Sequence, residues 1–541
     1  MNARLVLISL ILIAVILSGC APAATTQAPI AVQPKATHDN QPQAAPTQAY
    51  RPLPTQTAPQ MPVPTAPPAA TYAPMPSNPS VPYAPAPVPQ DNFFQDYGIN
   101  GFVDARRDHL STFAVDVDTA SYTVARRYVQ DGSLPPQDAV RVEEFINYFD
   151  PGYNPPADAA FAIYADGAPS PFHSDGTTLL RIGIQGYRVP DWKRKPAALT
   201  FVIDVSGSMN MENRLGLVKQ SLDMLVDRLR PTDTVGIVVY GTDARVVLDP
   251  TQVSNRNQIL WGIDSLRTEG ATNAEAGLRL GFQLAINGFR PDANNRVILC
   301  SDGVANVGNI NPDTILEFVH GYISEGVSLS TFGFGMGNFN DALLERLADK
   351  GNGMYAYVDT LDEAQRLFVD NLSSTLTTIA KDAKVQVDFN SDVVAGYRLI
   401  GYENRAVADQ NFRNDSVDAG EIGAGHHVVA MYAVQFKPGA QGRIATVQLR
   451  WADPQTSRVT EINGNLNTWG LSPTFDQASP YFKLDAVVAQ YAEILRGSPY
   501  AGNTSLYYLS ELASWLRASI PEDSDVDEFA GLVHRAAAIA Q

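Results

Sequence analysis

The sequence predicts an α/β protein in which a doubly wound, mostly parallel sheet is inserted in a β-rich sandwich domain and followed by C-terminal helices. Three observations carry this reading. Between residues 199 and 379, apolar strand-like runs alternate with helical patterns, the succession that builds a parallel sheet with helices on both faces. On either side, strand-like runs are divided by Pro, Gly and Asn clusters, the pattern of an antiparallel sandwich. Beyond residue 471 the periodicity turns helical: in "FKLDAVVAQYAEILR", Phe482, Val487, Tyr491 and Leu495 are expected to form a packing surface.

The chain opens with Arg4 and the run "LVLISLILIAVIL", roughly 13 apolar residues, which suits a signal-peptide core and is short of the 20 or so that a membrane span needs. Leu17 to Cys20, "LSGC", resembles the bacterial lipobox. That resemblance implies cleavage after residue 19 and lipidation of the Cys20 sulfur, hence export and a lipid anchor in a cell membrane. Residues 20–92 are dominated by Pro, Ala, Gln and Thr. They cannot form a packed core and read as an extended, disordered tether.

Residues 93–150 form an N-terminal framing segment. In "DVDTAS" a strand ending at Asp118 is expected to cap a helix that carries Val124, Tyr128 and Val129. A second metal site at Asp116, Asp118 and Ser121 is the less economical reading. Residues 151–196 and 380–470 hold the strands "FAIYAD", "LLRIGIQGYRV", "AKVQVDF", "HHVVAMYAVQ" and "IATVQLRW"; in the last, Val447, Leu449 and Trp451 share a face.

The section 197–379 begins with the strand "LTFVID". A helix from Glu212 to Arg230 follows, with Leu215, Val218, Leu222, Leu225 and Leu229 on one face and Pro231 as its stop. "TVGIVVYG" and "ARVVLD", joined by "GTD", suit a hairpin that adds one antiparallel edge strand. Helices 255–266 and 273–287, strand "RVILC", helix 312–325, strand "SLSTFGFG", helix 340–349, strand "MYAYVD" and helix 361–379 complete the series. Segment 471–541 is helical. There Asp523, Asp525 and Asp527 cap a helix rather than hold calcium, because Glu528 stands where a calcium loop needs glycine.

Composition bounds the chemistry. The chain has 541 residues, 45% hydrophobic and 18% charged, enough for two or three domains. Its net charge of −18 lies almost entirely after residue 92, which argues against nucleic acid as a partner. Cys20 and Cys300 are its two cysteines; with Cys20 lipidated no intrachain disulfide forms, and Cys300 reads as a small buried hydrophobe.

In a doubly wound sheet the first and fourth strands lie side by side, and ligands collect beyond their C-terminal ends. The first strand here ends in Asp204, Ser206 and Ser208, and the fourth runs into "CSDGVAN", which brings Asp302 to the same rim. The loop "TEGATNAEAGL" supplies Thr272 just before a helix. Two carboxylates and three hydroxyls, with no imidazole or thiolate, suit Mg²⁺ or Mn²⁺ rather than zinc or copper.

This set, D-x-S-x-S with a downstream Thr and a D-G aspartate, resembles the metal-ion-dependent adhesion site of von Willebrand factor type A domains, over residues 197–379. The resemblance implies a Rossmann-like sheet. It implies direct coordination by Ser206 and Ser208, direct or water-mediated coordination by Thr272, and largely water-mediated contacts from Asp204 and Asp302. It further implies that an Asp or Glu carboxylate of a protein ligand completes the metal's coordination. "STFAVDVDTASYTVARRYVQDGSLPPQDAVRVEEFINYF" and the tail from Pro480 resemble the segments that frame the type A domain in a family of bacterial surface lipoproteins without assigned biochemistry. The function expected is that of a membrane-anchored binding or scaffold protein.

Both chain ends of the inserted domain fall at its base, so the flanks are expected to form one sandwich from which the domain projects, metal face outward. The alternative function is a metal-assisted hydrolase with Asp204 or Ser208 as nucleophile. It lacks a general base, since neither His nor Lys occurs in rim loops 204–213, 268–275 and 301–309. "FGFGMGN" fails as a dinucleotide fingerprint because Asn338 occupies the last glycine position. His426 and His427 face opposite ways on a strand and do not share an ion.

Overall fold

A computed structural model describes residues 33–34, 92–303, 312–336 and 339–541. The leader, Cys20, nearly all of the tether and the end of "FGFGMGN" lie outside the described residues. Among those described, no helix is long and apolar enough to cross a membrane.

The elements before the central domain are strands β1 (Gln33–Pro34), β2 (Val103–Asp104) and β3 (Leu110–Ala114), helices α1 (Ala120–Gln130) and α2 (Val142–Asn147), and strands β4 (Phe161–Pro169) and β5 (Thr178–Gly186). The central domain runs β6 (Ala197–Asp204), α3 (Arg214–Arg228), β7 (Thr234–Tyr240), β8 (Ala244–Gln252), α4 (Arg256–Ser265), α5 (Ala274–Asn287) and β9 (Asn294–Ser301). It continues through α6 (Pro312–Ile323), β10 (Val327–Phe334), α7 (Asp341–Lys350), β11 (Tyr355–Val358), α8 (Leu361–Gln365) and α9 (Leu372–Leu376). Strands β12 (Thr378–Phe389), β13 (Val394–Ile400), β14 (Gly420–Gly423), β15 (His427–Phe436), β16 (Arg443–Ala452) and β17 (Val459–Asn467) follow. Helices α10 (Pro480–Leu495), α11 (Leu506–Ser519) and α12 (Ser524–Ile539) end the chain.

The central sheet has the order β11-β10-β9-β6-β7-β8. All its pairs are parallel except β7 with β8, the hairpin edge that "GTD" predicts. First and fourth strands of the domain are neighbours, with Ile203 opposite Cys300, and on the other side of β6 Asp204 lies opposite Tyr240 of β7. Alternation along β6 sends Leu199, Phe201 and Ile203 toward α3, α4 and α9, and Val202 toward α5, α6 and α7. Leu215, Val218, Leu222, Leu225 and Leu229 are all buried on the first of these faces.

The flanking strands form two antiparallel sheets. One has the order β1-β17-β16-β12-β14 with β3 also paired to β12; the other runs β2-β13-β15-β5-β4. Their inner faces share one core, in which Val385, Val387, Val447, Leu449 and Trp451 meet Phe161, Ile163, Ile182, Ala430 and Tyr432. The outer face of the second sheet, through Tyr164, Leu179, Val429 and Met431, is covered by α10 to α12, with Phe482, Val487, Tyr491, Phe529 and Val533. Asp523 caps α12 by accepting the Asp525 and Val526 N–H groups.

Several elements depart from expectation. The last helix of the central domain does not run to 379: it breaks into α8, a wide turn closed by Asn371 N–H on the Arg366 carbonyl, and α9. The β-branched Thr377, Thr378 and Ile379 favour extended backbone, and β12 begins there by pairing with β14. Helix α3 starts at Arg214 rather than Glu212, because Glu212 and Asn213 both hold left-handed backbone (φ 51° and 57°). Strands β13 and β17 escaped the sequence pattern; β17 holds three Asn and a Gly among its nine residues.

Asp118 does not cap α1. Its carboxylate accepts the Tyr355 N–H of β11 at 2.8 Å and joins Asp116 on the Arg405 guanidinium. Charged contacts of this kind fasten the framing segment and the sandwich to the central domain. Arg141 bonds Asp341 of α7 at 2.6 Å, Arg405 bonds Asp349 at 2.6 Å, and Arg126 bonds Asp359 and Glu363. The attachment also climbs past the base: Phe93 N–H bonds the Phe339 carbonyl, and Arg127 reaches Glu212.

Removing one side of a buried ion pair strands the other without compensation. Arg405→Ala, which leaves Asp116 and Asp118 together, is therefore expected to lower unfolding free energy by about 3–5 kcal/mol, measured by urea titration.

Candidate metal centre

The rim of the central sheet is assembled by backbone bonds among three loops. Val205 N–H bonds the Tyr240 carbonyl at 2.9 Å, Gly207 N–H bonds the Gly270 carbonyl at 3.2 Å, and Asn273 N–H bonds the Gly241 carbonyl at 2.8 Å. The 204–213 loop, the β7–β8 turn and the loop before α5 thus hold one another in place. Thr272 lies buried on the last of these.

Asp204 is fully buried at the end of β6. One carboxylate oxygen accepts the Ser206 N–H at 2.8 Å, and the other accepts the Ser301 hydroxyl at 3.0 Å. The Ser206 and Ser208 hydroxyls are 3.0 Å apart. Asp302, 1% exposed, follows β9. Gly303 after it has φ 103°, and a Cβ there would lie 2.4 Å from the Asn340 nitrogen, so this turn requires glycine.

The two carboxylates oppose each other. Burial, and then the neighbouring Asp302 charge, push Asp204 up to about 7. Burial also raises Asp302, while the Ser208 hydroxyl and the Arg214 guanidinium pull it back. Among the described residues, one Asp302 oxygen has no hydrogen-bond partner. The buried Tyr240 hydroxyl also lacks one, and burial raises its pKa well above the ordinary value.

Arg214 is a site residue that the sequence reading missed. It donates to Asp302 at 2.9 Å and to the Met336 carbonyl. Gly335, at φ 85°, makes room: a Cβ there would fall 2.0 Å from Arg214 Nε. The available signal was an arginine opening the helix directly after the rim loop, where the helix macrodipole favours no cation.

Four of the five predicted residues, Asp204, Ser206, Ser208 and Asp302, are thus clustered by direct bonds or charge interactions, and Thr272 sits on the loop bonded to Gly207. The two carboxylates share the rim with one guanidinium, Arg214 on Asp302, an unsatisfied carboxylate oxygen remains, and every other side-chain donor is a neutral hydroxyl. That set fits a small, hard divalent cation. Among the described residues, no group of three or more His, Cys, Asp or Glu side chains is placed to hold a metal. At Asp116 and Asp118 the cation is Arg405, and the Ser121 hydroxyl donates to the Ala139 carbonyl. Half-buried His426 is pushed down to about 3 by desolvation. Cys300 is buried and free, its thiol raised by burial.

The model of the von Willebrand factor type A domain matches residues 198–370, and that described as von Willebrand factor matches residues 88–181. A model described as the C-terminal part of the uncharacterized protein YfbK matches 374–444 and 437–539. The chain is 37% identical over 456 residues to the uncharacterized protein YfbK of Escherichia coli, covering 79% of this chain and 78% of that one. It is 27% identical over 295 residues to the uncharacterized protein sll0103 of Synechocystis, covering 53% and 69%. A solved von Willebrand factor type A structure from Catenulispora acidiphila aligns with a TM-score of 0.40 at 14% identity, over 66% of this chain and 87% of that one.

A carboxyl raised on folding binds its proton more tightly in the folded state, so its contribution to stability falls as pH rises from its unfolded value toward its folded one. In EDTA, Asp204→Asn is expected to gain stability over the parent progressively between about pH 4 and pH 7, with a constant margin above. Urea unfolding at a series of pH values reads this difference.

Proposed function

The chain belongs to the family of Escherichia coli YfbK, with a von Willebrand factor type A domain at its centre, and on this premise we propose that it is a surface-tethered binding or scaffold protein that captures a protein ligand through a divalent metal. Type A domains commonly mediate metal-dependent protein binding. The observation that carries the reading is the pairing of Asp204 and Asp302, both buried, beside the Ser206 and Ser208 hydroxyls, with one carboxylate oxygen left unsatisfied.

In this reading Ser206 and Ser208 hold Mg²⁺ or Mn²⁺ directly, Thr272 supports it directly or through water, and Asp204 and Asp302 act largely through water. When bound, the ion supplies an electrophilic centre that accepts a carboxylate oxygen from an Asp or Glu of the partner. Asp204 is held ready by the Ser206 N–H and the Ser301 hydroxyl, and Arg214 fixes Asp302. Gly207, Asn210 and Met211 are exposed around the rim and would flank an arriving ligand. Lipidation at Cys20 and the tether 20–92 would carry this face away from the membrane.

Isothermal titration of Mg²⁺ and of Mn²⁺ into the chain tests the reading. Saturable one-site binding is expected, lost in Asp204→Ala and in Thr272→Ala with circular dichroism unchanged. Binding retained in both variants, or absent from the folded parent, would reject it.

A further inference from the structure

A cavity of about 860 Å³ lies at the opposite end of the central sheet from the metal rim. It sits where the chain enters the central domain through Lys193–Lys195 and leaves it through Leu376–Thr378, against the sandwich strands. Asn294 ties the two passages together, its N–H on the Pro196 carbonyl and its side-chain amide on the Leu376 carbonyl.

The electrostatics of this cavity invert those of the protein. The chain carries 57 Asp and Glu against 39 Lys and Arg, yet among the described side chains no Asp or Glu lines the cavity. Arg188, Lys193, Arg194, Lys195, Arg296 and Lys381 do. Arg194 is neutralised by Asp233 at 2.7 Å. Among the described residues the other five make no ion pair, whereas Arg126, Arg141, Arg181 and Arg405 elsewhere are each matched to carboxylates.

Arg296 is the telling member. It is 6% exposed and donates to the Ser330 hydroxyl and the Thr375 carbonyl, while its Nε has no partner. The buried Thr377 hydroxyl in the same wall is also unpartnered. Arg296 makes no ion pair, and the charge of Glu421 only partly offsets its burial. A buried guanidinium so placed, on a wall with four more cations that make no ion pair, would gain from an anion arriving from outside.

We propose that this cavity is a binding site for a small, multiply charged phosphate-bearing anion. Five cations that make no ion pair call for several negative charges on one ligand. Lysine ammonium and arginine guanidinium groups with neutral amides and hydroxyls are the donor set that phosphoryl oxygens take. The volume falls within the range of small-molecule sites. The site stands on its own observations and is independent of the metal rim. A free oligophosphate and a phosphorylated lipid headgroup share the chemistry.

The test is isothermal titration of tripolyphosphate into the full chain at fixed ionic strength, with citrate as a tricarboxylate comparator. Flotation with vesicles containing phosphatidic acid, whose phosphomonoester headgroup ionises more than once, runs alongside. Saturable tripolyphosphate binding is expected, weakened at least about tenfold in both Arg188→Ser/Lys381→Ser and Lys193→Ser/Lys195→Ser. The equally charge-altering Lys437→Ser/Arg443→Ser, outside the cavity, is expected to bind like the parent. Vesicle binding lost in the same cavity variants identifies the headgroup as the source; its absence identifies a free anion. No saturable binding, equal affinity for citrate, or equal weakening in the control variant would overturn the proposal.

Discussion

The parallel pairing of β6 with β9 is the constraint on which the site depends. It places Ile203 opposite Cys300, so the two chains leave the sheet side by side and deliver Asp204 and Asp302 to one point. Neither strand has freedom to shift. β6 is buried on both faces between two helix layers, and a slip of one residue would send Leu199, Phe201 and Ile203 to the wrong layer. The fold's apolar pattern thus enforces the approach of two like charges that would otherwise separate. The consequences of that approach are written into the rim: an elevated Asp204, an unsatisfied oxygen on Asp302, and an arginine anchored between Asp302 and Met336.

A second constraint holds this domain in its setting. Apolar packing builds each layer, and the central domain is joined to its surroundings both by apolar contacts of Ala120, Val124 and Ala139 and by ion pairs of Arg126, Arg141 and Arg405 with Asp341, Asp349, Asp359 and Glu363. Buried ion pairs contribute modest net stability yet tolerate few alternative arrangements, because each misplacement leaves a charge unmatched. The central domain is therefore oriented on the sandwich rather than simply connected to it. The cavity at its base instead gathers six basic side chains, of which Arg194 alone is ion-paired among the described residues.

Much of this was legible in the sequence because the physics is local. The alternation of strand and helix from 199 onward, the apolar face from Leu215 to Leu229 and the hairpin at "GTD" follow from periodicity and turn chemistry alone. Four of the rim residues were legible because each stands at a strand end. What escaped is what depends on partners distant in sequence. Asp118 resembles a helix cap until β11 presents the Tyr355 N–H to it. Arg214 reads as an ordinary helix residue until Gly335 opens a seat beside Asp302. Strand β17 lacks an apolar alternation of its own and takes its conformation from β16.

The central claim is that Asp204, Ser206, Ser208, Thr272 and Asp302 form one cation site. Anomalous scattering from crystals of the protein grown with Mn²⁺ addresses it most directly. The account predicts a single anomalous peak at the rim within bonding distance of the Ser206 and Ser208 hydroxyls. A map with no peak there, and Asp302 still held by Arg214 alone, would contradict it.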